Sequence, residues 1–113
     1  MNDIKTIRAR HLHRRFEELT AEYKRKGYTY SVRQVCEVIA HEPAPRYYLT
    51  ESYAVNAMYA IRNGRTQTSR QLKDLYRQWR RTNNIIKAIN TPAPSYYLSA
   101  TRIYRILINT IRL

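Results

Sequence analysis

The sequence predicts an all-α protein of about six helices, built as two tandem three-helix units sharing one core. Three observations lead there. The chain of 113 residues has only two glycines and four prolines, and all four prolines fall in two short phrases. Between those phrases, apolar residues recur at the three- and four-residue spacing of helices. The phrase PAPRYYL at 43–49 returns as PAPSYYL at 92–98, a repeat with a period of 49.

The first helix is predicted from Ile4 or Ile7 to Lys26, with Leu12, Phe16, Leu19 and Tyr23 as its buried stripe and Gly27 as its stop. Arg14, Glu18, Glu22 and Lys26, four residues apart, form its solvated, ion-paired face. Ser31 with Gln34 makes a capping box for a second helix that runs to about His41 and buries Val35, Val38, Ile39 and Cys36, before Pro43 ends it. Thr50 caps a third helix to Arg62, with Ala54, Ala57, Met58 and Ile61 inward and Asn63-Gly64 as its terminator.

The second copy repeats the scheme. Thr68 with Gln71 reads as another capping box, followed by a fourth helix that buries Leu72, Leu75, Tyr76 and Trp79. Asn83 or Asn84 caps a short helix through Ile85, Ile86 and Ile89, which Pro92 stops. Ser99 caps a last helix that runs almost to Leu113. Under the 49-residue shift Thr50 falls on Ser99 and Ala57-Met58 on Ile106-Leu107, so the apolar pattern extends beyond the phrase. The predicted units are residues 1–64 and 65–113.

Each proline fixes its own φ and biases the residue before it toward extended geometry. Pro43, Pro45, Tyr47, Tyr48 and Leu49, and equally Pro92, Pro94, Tyr96, Tyr97 and Leu98, therefore form a stiff structural corner between helices. At least one tyrosine of each phrase is expected to pack over the helix junction. Tyr47 or Tyr96, if exposed, is a surface for stacking on a base or a protein partner.

Lys and Arg total 21 against 8 Asp and Glu, a net charge of +13, which draws polyanions such as DNA or RNA. Residues 1–64 carry 11 basic and 7 acidic residues, and 65–113 carry 10 and 1, so the second copy is the expected polyanion contact. On the fourth helix Arg70, Lys73, Arg77, Arg80 and Arg81 share one side, with Asp74 the only acid, placed to pair with Arg70. On the last helix Arg102, Arg105, Asn109 and Arg112 form one stripe. Arginines there suit phosphates, and Asn109 and Tyr96 are candidates for base contact. The other side of that helix, Ile103, Tyr104, Ile106, Leu107, Ile108 and Ile111, is broader than a surface helix needs. It predicts either a central core position or docking onto another chain, in a homo-oligomer or a larger assembly.

Several chemistries find no support in the sequence. His11 and His13 flank Leu12 and point about 200° apart on a helix, so they do not converge on a metal. His41 stands alone, Cys36 is the only cysteine and lies on a core face, and two separated glycines cannot build a phosphate loop. With Asp3 and Asp74 far apart, no carboxylate pair is formed, and the expectation is a non-enzyme without cofactor or metal. No apolar run reaches leader or membrane-spanning length, and the last helix lacks interfacial tryptophan. The expected setting is the cytoplasm, or the inside of an assembled virion, without membrane contact.

The stretch Ser31–Arg62, a capped helix, a corner and a second capped helix, resembles the helix-turn-helix of DNA-binding proteins. That resemblance implies a helix in the DNA major groove. The corner is longer than the usual turn, and the outer face of the third helix (Tyr53, Asn56, Ala60, Asn63) lacks the basic residues of a recognition helix. The PAP-x-Tyr-Tyr-Leu corner is similar to small uncharacterised proteins of bacteria and phages. Together these predict a small, basic, architectural or regulatory nucleic-acid-binding protein, with a structural subunit of a phage particle or similar assembly as the alternative.

Overall fold

A computed structural model describes residues 3–65 and 69–110. It is all-α, with helices α1 (Ile4–Lys26), α2 (Val32–Ala40), α3 (Glu51–Arg62), α4 (Arg70–Thr82), α5 (Ile85–Ile89) and α6 (Ala100–Asn109). The last three residues, including Ile111 and Arg112, and Thr68 of the expected capping box lie outside the described residues.

Each helix begins where a short polar side chain can take up a free amide. Asp3 accepts from the Thr6 amide at 2.8 Å. Ser31 and Gln34 form the full reciprocal box, at 3.1 and 2.8 Å. Thr50 accepts from Tyr53, Asn84 from Lys87 and Ser99 from Arg102. At α4 the cap is Ser69, whose hydroxyl accepts from Leu72 at 3.2 Å. Gly27 closes α1 in the left-handed region at φ 73, as a residue without a Cβ can, and Asn83 closes α4 in the same way at φ 57.

The six helices fall into two compact units, but not at residue 64. One unit comprises Met1–Glu42 with Tyr97–Leu113; the other is the continuous segment Pro43–Tyr96. In the first, α1, α2 and α6 pack on one another; in the second, α3, α4 and α5 do. The third helix of each sequence copy thus completes the three-helix unit of the other copy. This corrects the expected division into 1–64 and 65–113. The physical reason is the corner: a proline-fixed, extended segment does not return the chain onto the helix before it as a tight turn would.

Within the second unit the two PAP phrases lie side by side. Ala44 and Ala93, one period apart, form an antiparallel bridge, with both N–H···O bonds at 2.9 Å. Flanked by prolines, each alanine carries the only backbone N–H of its Pro-Ala-Pro run, and the bridge gives both a partner. Both alanines are buried, and the Tyr48 ring stacks on Tyr96 at 5.8 Å, 9° from parallel. The Tyr47 amide donates to the Ile89 carbonyl, tying the first phrase to the end of α5. The phrases are not identical in conformation: Tyr97 has φ 58, and among the described residues the only other non-glycine with positive φ is Asn83.

In the first unit, Leu12, Val35, Cys36, Ile39 and Ile103 are fully buried. Arg15 grips Glu42 through two nitrogens, at 2.6 and 2.8 Å, linking α1 to the end of α2. His13 Nε2 lies 2.9 Å from the Thr110 hydroxyl. That hydroxyl also donates to the Ile106 carbonyl, which leaves its lone pairs to accept from a His13 Nε2–H. Val38, expected inside, is 38% exposed, and Phe16 and Tyr23 are only half-buried. Of the expected ladder along α1, Lys26 pairs with Glu22 at 2.8 Å, while Glu18 meets Arg15, which was not in the expected set, at 3.5 Å.

Candidate nucleic-acid interface

On α4 the basic residues share one face. At 100° per residue, Arg70, Lys73, Arg77, Arg80 and Arg81 point within an arc of about 100°, and all five are exposed. Leu72 and Leu75 on the other side are buried, which holds the helix by its apolar stripe and leaves the cations in water. From Arg70 to Arg81 the axial rise is about 16 Å. Asp74 accepts from Arg77 at 3.2 Å, and Arg77 remains 73% exposed despite that bond.

An aromatic cluster ties α4 to α3. Trp79 meets Tyr59 edge-on at 5.6 Å and Tyr76 at 5.7 Å. The Arg62 guanidinium lies 4.5 Å from the Tyr59 centroid and 5.7 Å from that of Trp79. Tyr59 is 41% exposed, so α3 presents an aromatic-cationic surface, packed on α4 through Trp79, that sequence reasoning did not single out. The three-residue spacing of Tyr59 and Arg62, neighbours on one helix face, was the available signal.

On α6, Arg102, Arg105 and Asn109 are exposed as expected, while Ile103 and Leu107 are buried. The broad apolar side divides: Tyr104 and Ile108, one turn apart, are 42% and 50% exposed. The α4 set and the α6 set, both expected in the second unit, belong to different compact units. The charge contrast between copies dissolves with that regrouping. Met1–Glu42 with Tyr97–Leu113 hold 12 basic and 6 acidic residues, net +6; Pro43–Tyr96 hold 9 and 2, net +7.

Tyr96 is corrected as a base-contact candidate: it is 5% exposed, and one face of its ring lies on Tyr48. Tyr47 is likewise buried. The prolines of both corners are exposed, and Leu49, Tyr97 and Leu98 are half-buried, so the corner is a packing device with a proline rim. Arg46 braces it, donating from Nε to the Tyr47 carbonyl at 3.0 Å, with its guanidinium 5.8 Å from the Tyr48 centroid.

Among the described residues no three His, Cys, Asp or Glu side chains gather as a metal site, and no helix is long and apolar enough to cross a membrane. Comparison with family models, with curated proteins and with solved structures finds no match to this chain.

Proposed function

We propose that the protein is a small, non-catalytic nucleic-acid-binding protein, architectural or regulatory in role, with α4 as its phosphate-gripping element. The observation that carries this reading is the α4 face: five exposed cations on one side of a 13-residue helix with a single acid among them. Such a stripe repels itself in the free protein and is relieved by a polyanion, whose condensed counterions are released on contact. Tyr59 and Arg62 on α3 supply an aromatic and cationic surface of the kind that stacks on bases. Arg102, Arg105 and Asn109 on α6 are a second, smaller contact, and Arg112 belongs to the same sequence stripe. The test is binding to labelled DNA and RNA by fluorescence anisotropy, with Arg77→Gln/Arg80→Gln/Arg81→Gln set beside Arg102→Gln/Arg105→Gln. The α4 variant is expected to lose at least tenfold in affinity for any sequence, and the α6 variant less. Unchanged affinity of the α4 variant overturns the assignment.

The second reading is a structural subunit of a larger assembly, such as a phage particle, docked through α6. It is favoured by the exposed Tyr104 and Ile108, an apolar pair beside Arg102 and Arg105. Size-exclusion with light scattering, with and without DNA, separates the readings. A monomer that shifts only with DNA supports the first, and a DNA-independent oligomer abolished by Ile108→Ser supports the second.

A further inference from the structure

In the unit formed by α1, α2 and α6, a second feature stands apart from the basic faces. The end of α1, the 28–30 connection and the exposed side of α2 enclose an open cleft of about 790 Å³, lined by Tyr23, Tyr28, Thr29, Tyr30, Gln34, Glu37, Val38, His41 and Glu42. Three of its walls are tyrosine rings: the Tyr23 centroid lies 5.6 Å from Tyr30 and 6.3 Å from Tyr28, each pair tilted by 48°. Tyr28 is 60% exposed, a large apolar ring that the unit leaves open to solvent.

The electrostatics of the cleft oppose those of the chain. Among the described residues no Lys or Arg lines it, whereas two acids, Glu37 and Glu42, do. Those acids differ in availability. Glu42 is committed to Arg15 at 2.6 Å. Glu37 is half-exposed and meets Arg33 at only 3.6 Å, a solvent-side pair of small value that an incoming cation displaces. His41 Nδ1 lies 2.8 Å from the Glu37 carbonyl, which can only accept, so a neutral His41 leaves Nε2 as a further acceptor.

Aromatic faces attract a cation within about 6 Å of the ring centroid, and rings this close together act on one cation jointly. We propose that this cleft binds an organic cation, an ammonium or guanidinium head group seated among Tyr23, Tyr28 and Tyr30 with Glu37 as its counter-ion. This goes beyond the nucleic-acid reading and is independent of it, because the cleft shares no residue with the α4 or α6 basic faces.

The test is an NMR amide titration of the full chain with choline and with its neutral isostere 3,3-dimethylbutanol. Parallel titrations with N-acetylarginine methylamide and N-acetyl-trimethyllysine methylamide distinguish a guanidinium from a quaternary ammonium source. At least one cation is expected to shift Tyr28, Tyr30 and Glu37 saturably, while the neutral isostere does not. Tyr28→Ala and Glu37→Gln, both at exposed positions, are each expected to weaken that cation about three- to fivefold without altering the rest of the spectrum. Equal shifts from choline and its isostere overturn the proposal, because the cleft is then merely greasy. So does an absence of saturable shifts with all three cations, or affinity unchanged in both variants.

Discussion

Ala44 and Ala93, 49 positions apart in the sequence, bond to each other through both backbone amides at 2.9 Å. The two occurrences of the repeated phrase are therefore partners, and the phrase is where the two sequence copies interlock. Pairing them leaves no unsatisfied amide in either proline-alanine-proline run and places α3 with α4 and α5, and α6 with α1 and α2.

The interlock predicts which fragments fold. Residues 43–96 contain all three helices of one unit and both alanines of the bridge, whereas 65–113 contain a whole sequence copy but only two helices of one unit and one of the other. A peptide of 43–96 is expected to show helical circular dichroism with a cooperative thermal transition, although a domain this small is marginal. The peptide 65–113 is expected to melt without cooperativity. The reverse ranking contradicts the exchanged arrangement.

The Tyr48–Tyr96 stack is predicted to be a principal support of the corner. Both rings are buried, so Tyr48→Ala is expected to cost about 3–5 kcal/mol, as for other large core truncations. A double-mutant cycle with Tyr96→Ala should return a coupling of about 0.5–1.5 kcal/mol for the ring pair. Chemical denaturation of the four proteins measures both.

Asn83 ends α4 at φ 57 and is exposed. Glycine occupies that region without a Cβ penalty, so Asn83→Gly is expected to raise stability by about 0.5–1 kcal/mol, and Asn83→Val to lower it by about 1 kcal/mol. The thermal midpoints should move in opposite directions. Because the position lies outside the basic face, affinity for nucleic acid should not change.

Acid is predicted to loosen α1 at both ends. The Thr6 amide, donating to Asp3, holds that carboxyl below the usual range, and the hydrogen bond from Lys26 does the same for Glu22. A carboxyl depressed in the folded state contributes stability above its unfolded value and loses it as pH falls through the folded value. The Thr6 amide resonance should therefore titrate with a midpoint below that of a free aspartate. Asp3→Asn keeps a capping oxygen and should abolish that titration. A midpoint at the ordinary value contradicts the cap. At the other end of the pH range, burial pushes the Cys36 thiol up, so alkylation of the native protein should stay slow at pH 8 and become fast in denaturant.

Much of the local structure was legible in the sequence because it is encoded locally. Ser31 with Gln34, Thr50, Asn84 and Ser99 cap helices, and Gly27 stops one, because a short polar side chain or a missing Cβ acts within four residues of its own position. The stripe from Arg70 to Arg81 was legible for the same reason, since helical spacing alone puts those residues on one side. The assignment of helices to units was not. Periodicity says which face of α3 or α6 is buried, but not which helix covers it, and an extended corner admits either partner. The same gap misplaced Tyr96: composition shows a tyrosine in a corner, whereas only the pairing of the two corners shows its ring lying on Tyr48. The tyrosine cleft was missed because it combines the end of α1, a connection and the outer side of α2, where Val38 had been read as core.

The most direct measurement of the central claim, that α4's cationic face grips phosphate, is the salt dependence of binding to duplex DNA. If four or five of its side chains meet phosphates, log Kobs plotted against log salt should fall with a slope of about −4, near −0.9 per contact. Arg80→Gln should reduce the magnitude of that slope by about 1. A slope near zero, or one that Arg80→Gln and Arg81→Gln together leave unchanged, contradicts the assignment.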